Sequence, residues 1–133
     1  MLSIFPQLFA YQLLTLFILR VVLGLIFIGH GYSKLFKSFG ATATFFKSIN
    51  LKPAKAWVWG ICITELLSGI LMLLGFLTQI AAILILIVIV GALVKVKIKE
   101  RFLGGYEFDL LILAAALVIL FSGAGIFAID IPL

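Results

Sequence analysis

Two ionisable residues lie inside long apolar stretches of this chain and are its first candidates for chemistry: Arg20 and Glu65. A charge at the centre of a bilayer costs roughly 2.5–3.5 kcal/mol on insertion scales, so it usually faces the protein interior and has a partner. A buried carboxylate beside a cation can hold a proton or bind the polar head of a ligand. These two residues are therefore where function is sought first.

Their depths predict that Arg20 and Glu65 meet. At 1.5 Å per residue, Arg20 lies about 12 Å from the start of its stretch and Glu65 about 15 Å from the start of its own. The stretches run in opposite directions through a core about 30 Å thick, so these depths nearly coincide. The sequence therefore predicts a buried Arg20–Glu65 ion pair. The pair either holds two helices together, or lets Glu65 handle protons or a ligand head with Arg20 tuning its acidity.

A second polar group is expected at one membrane face. His30 and Lys34 are four residues apart and share a helix face, and Glu107 and Asp109 open the last apolar stretch from the same side. Histidine exchanges protons readily near neutral pH, so His30 is either a proton carrier or a hydrogen-bonded residue at the interface. The two acids also complement the positive end of a helix dipole, which is a purely structural role.

The elements that position these residues are four apolar segments at about 12–32, 55–75, 79–94 and 106–121. The chain has 133 residues, of which 65% are hydrophobic and 11% charged. Four spans of about 20 residues nearly exhaust that length. The expected fold is an all-α, four-helix membrane bundle forming one domain over residues 1–133. Gly75 is expected to end the second helix, and the third segment, apolar all round, is expected to face lipid.

In the first loop, residues 41–49 combine aromatic and apolar side chains with a lysine, a composition that predicts a short interfacial helix.

Nine of the ten basic residues lie in the first and third loops, and Arg20 is the tenth. The positive-inside rule puts both loops in the cytoplasm and both termini outside, in a multi-pass protein of the cell membrane. Topology thus explains the net charge of +5, and a nucleic-acid partner is not expected.

Metal and thiol chemistry find little support in the sequence. One histidine and one cysteine, Cys62, give no recognisable metal-ligand spacing, and a lone cysteine cannot form an intramolecular disulfide. No Gly-rich phosphate motif or haem attachment motif occurs. No covalently bound cofactor and no cleaved signal peptide are expected.

The order and spacing of these residues resemble the DoxX family of small four-helix membrane proteins. The resemblance covers nearly the whole chain and rests on Arg20, Gly24, His30, Gly31, Lys34, Phe45, Phe46, Glu65, Gly69, Leu74, Gly75, Thr78, Gly104, Gly105, Tyr106, Glu107, Gly123, Gly125 and Asp130. The chain departs from the family pattern at Ser68, Gln79, Ile126 and Ala128, and it lacks a histidine often found in the third loop. The departures weaken any claim of thiosulfate binding.

The resemblance implies a membrane protein close to quinone or thiol redox chemistry. The family is similar to the membrane subunit of thiosulfate:quinone oxidoreductase, and other members are associated with oxidant resistance and with redox complexes. The leading hypothesis is a quinone-linked membrane subunit that needs a redox partner and is not an enzyme alone. Glu65 and His30 would donate protons, and Arg20, Lys34, Glu107 and Asp109 would bind the quinone.

Two other hypotheses stay open. The first is a non-catalytic scaffold or stress-resistance protein in which the buried ion pair is structural. The second is a small transporter, which would need a homo-oligomer because four short helices leave little room for a pathway. No inverted repeat supports the transporter.

Overall fold

The computed structural model describes residues 3–96 and 101–130 of the chain, and its regular structure there is helical. The helices are α1 (Gln12–Tyr32), α2 (Phe39–Ser48), α3 (Ala54–Leu74), α4 (Thr78–Lys95) and α5 (Glu107–Ser122). The four long helices lie in segments that are long and apolar enough to cross a membrane. The predicted all-α, four-helix membrane bundle with a short helix in its first loop is confirmed.

The long helices pack as a ring in which α1 contacts α3, α3 contacts α4, α4 contacts α5 and α5 contacts α1. Helix α4 shows why the ring closes. It buries Ala81, Ala82 and Ile85 in the shared core and leaves Ile83 and Ile87 exposed. The sequence predicted a lipid-facing helix, and α4 does keep one exposed apolar face, but its other face packs inward. An apolar pattern on every side cannot reveal which face packs inward.

Glycines set the close approach of α1 to α3. A Cβ atom on Gly24 would lie 2.8 Å from the main-chain oxygen of Gly69, and a Cβ on Gly69 would lie 2.8 Å from the oxygen of Gly24. Helices within a bilayer gain little from the hydrophobic effect and depend on close packing. These glycines therefore serve contact between helices and do not open space for a ligand.

One end of the bundle is closed by the tail, which we define as residues 123–130. Helix α3 stops at Gly75, as predicted, whose φ of +70° suits glycine. Phe76 N–H donates to the carbonyl of Leu71 at 3.0 Å, which completes a Schellman-type cap. The tail crosses this corner, and Asp130 N–H donates to the carbonyl of Gly75 at 2.7 Å. We call this the tail end.

The opposite end carries exposed cations and is here called the basic end. Its exposed cations in the described residues are Lys37, Lys47, Lys52, Lys55, Lys95 and Arg101; Lys97 and Lys99 lie outside those residues. Helix α1 continues here as a wide π-type turn, Ser33–Lys37. Helix α2 then packs on α3, and their contact includes a small apolar cluster of Phe46, Val58 and Cys62. The buried Cys62 occupies an apolar packing position.

Candidate functional site

A cavity of about 1080 Å³ lies at the basic end, among residues from all five helices. We call it the basic-end cavity. Its walls are mainly apolar and include the aromatic rings of Phe27, Phe45, Phe46, Trp57 and Phe108. Pockets for small molecules have volumes of about 300–1000 Å³ and combine apolar walls with a few polar groups. The basic-end cavity has the size and lining of such a pocket.

Four of the predicted site residues line this cavity: His30, Lys34, Glu65 and Asp109. His30 and Lys34 come from the end of α1 and its π-type turn, Glu65 from the middle of α3, and Asp109 from the first turn of α5. Sequence reasoning had placed Glu65 with Arg20, apart from the other three. The structure instead collects two acids, a lysine and a histidine around one apolar space.

Glu65 forms its ion pair with Lys34. The Lys34 Nζ donates to Glu65 Oε1 at 2.8 Å, and the carboxylate side chain is only 4% exposed. The second carboxylate oxygen, Oε2, is buried and has no hydrogen-bond partner among the described residues. An unsatisfied buried acceptor normally costs about 1–3 kcal/mol. Glu65 thus lines the cavity and keeps one buried carboxylate oxygen without a donor among the described residues.

Arg20 is fully buried but lies outside the cavity, at the tail end. Its guanidinium donates five hydrogen bonds to main-chain carbonyls. Two go to Met72 and Leu73 in the last turn of α3, each at 2.9 Å. The other three go to the tail, at Ala124 (3.1 Å), Ile126 (3.2 Å) and Phe127 (2.9 Å). All five N–H donors of the side chain are satisfied. Arg20 thus binds the protein's own backbone and leaves no donor for a ligand.

The predicted Arg20–Glu65 ion pair is therefore wrong, for a reason of direction. Side chains on a helix lean toward its N-terminus. Helix α1 begins at the tail end, so Arg20 leans that way, whereas α3 begins at the basic end, so Glu65 leans the opposite way. Their predicted depths agreed, but the side chains diverge. Lys34 also leans toward the start of α1, and so reaches down to Glu65.

Asp130 is a structurally important residue that the sequence analysis did not single out as a site. Its carboxylate accepts hydrogen bonds from Leu77 N–H at 2.8 Å and Thr78 N–H at 2.7 Å, and a short one from the Thr78 hydroxyl. It thereby caps the positive N-terminus of α4. Burial raises the pKa of Asp130, but the Thr78 and Leu77 hydrogen bonds and the Arg20 charge together hold that pKa below its ordinary value.

Glu107 does not join the cavity. It is exposed, and its Oε1 accepts a hydrogen bond from Gly104 N–H at 2.9 Å, which stabilises the irregular turn before α5. The predicted placement of Glu107 in the polar cluster is wrong, because its side chain points back to the turn that precedes its own helix. His30 does remain at the cavity, with its ring centroid 6.2 Å from that of Phe108. The proposed proton-transfer roles of His30 and Glu65 stay predictions.

Sequence reasoning missed the second cation and the aromatic walls of the cavity. Lys95 ends α4 and lines the cavity, although its sequence position suggested only a loop charge. Trp57 lines the cavity as well, whereas Trp59 packs against Phe39 with ring centroids 5.8 Å apart. Only their helical phase, two residues apart, separates the two roles.

No cluster of three or more histidine, cysteine or acidic side chains suited to a metal ion occurs within residues 3–96 and 101–130. The ionisable groups that line the cavity are two carboxylates, two ammonium groups and one imidazole, and Ser38, Thr42 and Thr64 add hydroxyl groups. These can exchange protons and form hydrogen bonds with a ligand. The cavity thus combines an apolar space with hydrogen-bonding groups in its walls.

Comparison with known proteins gives one family match and two similar proteins. The protein-family model DoxX matches residues 15–98. A Bacillus subtilis (strain 168) protein named "Putative oxidoreductase CatD" is 38% identical over 113 residues, covering 85% of this chain and 82% of that protein. An uncharacterized membrane protein of Mycobacterium tuberculosis is 29% identical over 125 residues, covering 84% of this chain and 77% of that protein. No solved structure matches.

Proposed function

This chain belongs to the DoxX family, and on that premise we propose that it is the membrane subunit of a quinone-linked oxidoreductase. The quinone site is the basic-end cavity. The similarity to a protein named as an oxidoreductase supports a redox role, and the apolar, aromatic walls suit a flat ring. The proposal places the chain in the cell membrane with its basic end in the cytoplasm, following its positive loops.

The observation that carries the proposal is the unpartnered Oε2 of Glu65. Reduction of a quinone to a quinol adds two electrons and two protons, one proton at each ring oxygen. A proton held at Glu65 Oε2 can pass to a ring oxygen in the cavity, and the Lys34 ammonium then stabilises the carboxylate that remains. In the reverse direction, a quinol hydroxyl donates to the same oxygen. His30, which also lines the cavity, serves the second ring oxygen.

A partner subunit supplies the electrons. Cys62 is the chain's single cysteine, so thiol–disulfide exchange within this chain cannot do so. The partner contributes a redox group and docks at the basic end, where the cavity lies. The chain then supplies the lipid-soluble acceptor's site, its orientation and its protons, and the partner oxidises its own substrate.

Tryptophan fluorescence tests whether the cavity binds a quinone, because quinones quench nearby indole rings. The chain has two tryptophans, and only Trp57 lines the cavity. Titration of the purified protein with menadione should give saturable quenching in Trp59→Phe and none in the matched variant Trp57→Phe. Equal and unsaturable quenching of both variants would contradict binding in this cavity.

The role of Glu65 needs a separate measurement on the native complex. Glu65→Gln keeps the shape of the side chain and removes its proton chemistry, so quinone-dependent turnover should fall about 100-fold or more, while saturable menadione quenching persists. Glu107→Gln is the matched control, since Glu107 is exposed and outside the cavity, and should leave turnover unchanged. Full activity in Glu65→Gln would remove Glu65 from the mechanism.

A scaffold role is the second candidate, and the Lys34–Glu65 pair itself favours it. The pair ties the π-type turn after α1 to the middle of α3, so it also stabilises the bundle. A scaffold predicts that Glu65→Gln destabilises the protein in detergent and that menadione produces no saturable quenching. Saturable quenching that depends on Trp57 would argue for the redox subunit.

A further inference from the structure

The basic-end cavity adjoins a second space on the outer surface of α4. This outer groove has a volume of about 570 Å³. Its lining among the described residues comes from α4 alone and is mostly apolar: Ile83, Leu86, Ile87, Val90, Gly91, Val94 and Lys95. Ile83, Ile87, Val90 and Val94 are each at least 45% exposed. Helix α4 is long and apolar enough to cross a membrane, so we expect this exposed apolar surface to face lipid.

Three residues belong to both spaces: Ile87, Gly91 and Lys95. They are spaced by four, so they form one ridge along the helix. On one side of the ridge, Val88 and Ala92 face the cavity, and on the other, Val90 and Val94 face the outer groove. The two spaces are therefore separated by a single row of side chains.

Gly91 is a gap in that row. It has no side chain, and a Cβ atom built on it would meet nothing within 4 Å. Glycine in a helix interior costs about 1 kcal/mol relative to alanine, and no close helix contact at Gly91 offsets that cost, unlike at Gly24 and Gly69. The row of side chains that separates the cavity from the groove is therefore interrupted at Gly91.

We propose that a ligand in the basic-end cavity extends an apolar chain through the gap at Gly91 into the outer groove. The ligand class is then a membrane quinone with a long prenyl chain rather than a small water-soluble quinone. The groove runs about 18 Å along α4, from Ile83 to Lys95. A ring in the cavity and a chain in the groove allow the ligand to enter from the bilayer without crossing water. This inference rests on the proposed quinone site.

The test compares two quinones that share one ring, menadione and the same naphthoquinone with a tetraprenyl chain. Gly91→Leu fills the gap, and Gly29→Leu is the matched control, because Gly29 is an exposed helical glycine that also has open space. Binding is measured by quenching in the Trp59→Phe background. In Gly91→Leu the affinity for the prenylated quinone should fall about tenfold more than the affinity for menadione. Gly91→Ala should give a smaller change in the same direction.

Each other result overturns the inference. If Gly91→Leu weakens both quinones equally, the substitution acts on the cavity and not on the path of the chain. If it weakens neither, the chain leaves by another route. Saturable menadione binding with no discrimination at Gly91 overturns this inference alone. Absence of saturable binding of either quinone in the unaltered protein overturns the proposed function as well. Menadione binding in the variant also shows that the cavity has folded.

Discussion

Replacing Arg20 with lysine tests whether this buried charge is held by the backbone or by Glu65. The arginine side chain satisfies five carbonyls, two in the last turn of α3 and three in the tail. A lysine ammonium has three N–H donors on a single nitrogen. The Arg20→Lys variant therefore keeps the positive charge but leaves at least two carbonyls without a donor.

The expected loss of unfolding free energy follows from those two carbonyls. Each buried polar group left without its partner costs about 1–3 kcal/mol. The bonds to Met72 and Ala124 are buried, and those to Leu73, Ile126 and Phe127 are partly buried, so the lower half of that range applies to most of them. We expect Arg20→Lys to destabilise the protein by about 2–4 kcal/mol.

Equilibrium unfolding in mixed detergent micelles measures this loss, and hydrogen exchange of the tail amides locates it. Arg101→Lys is the matched control, because Arg101 is exposed, and should change stability by less than about 0.5 kcal/mol. A double-mutant cycle with Glu65→Gln adds the decisive comparison. Residues without shared partners contribute additively within about 0.5 kcal/mol, so Arg20→Lys and Glu65→Gln should be additive.

Two results would refute this reasoning. A coupling above about 1 kcal/mol between Arg20 and Glu65 would mean that they interact directly, as their depths alone suggested. A stability loss in Arg20→Lys without faster exchange in the tail would mean that the tail carbonyls are not its partners. Either result would require a different packing of the tail end.

Three further predictions concern the ion pair, the helix contact and the tail. Lys34→Met and Glu65→Gln should be coupled by about 1 kcal/mol or more in a double-mutant cycle of unfolding, since they share one hydrogen bond. Gly24→Ala should destabilise by about 1–3 kcal/mol in the same assay, because its Cβ would meet backbone at 2.8 Å; Gly29→Ala, with open space, should be neutral or stabilising. The pKa of Asp130 is depressed in the folded protein, so its carboxylate stabilises the fold at pH values above the ordinary carboxylate pKa of about 3.9. This stabilisation is lost as the pH falls through the depressed pKa. Asp130→Asn should remove this component of acid destabilisation.

The sequence predicted the helices well, because apolar length and loop glycines determine them directly. The helix bounds of α1 and the C-terminal glycine of α3 follow from apolar runs and a turn residue. The gathering of His30 and Lys34 also follows from helical spacing. These features depend on local sequence, in which each residue constrains its near neighbours.

The pairing of the buried charges could not be predicted in the same way. The rise per residue gave the depth of Arg20 and Glu65 in the membrane. The direction in which each side chain points along its helix decided its partner. The partners of Arg20 are carbonyls, which every residue carries, so no residue type marks them. The partners of Asp130 could not be predicted from the sequence either, because its hydrogen bonds with Leu77 and Thr78 join positions more than 50 residues apart.

The position of the tail has a consequence for the order of biogenesis. Translation runs from the N-terminus, so Arg20 enters the membrane with the first helix, before any of its five acceptors exists. Met72 and Leu73 arrive with α3, and Ala124, Ile126 and Phe127 only after all four long helices have been made. The nascent bundle therefore carries a guanidinium with unsatisfied N–H donors until the tail docks. A product released before the tail is made would therefore keep a buried arginine without three of its five acceptors.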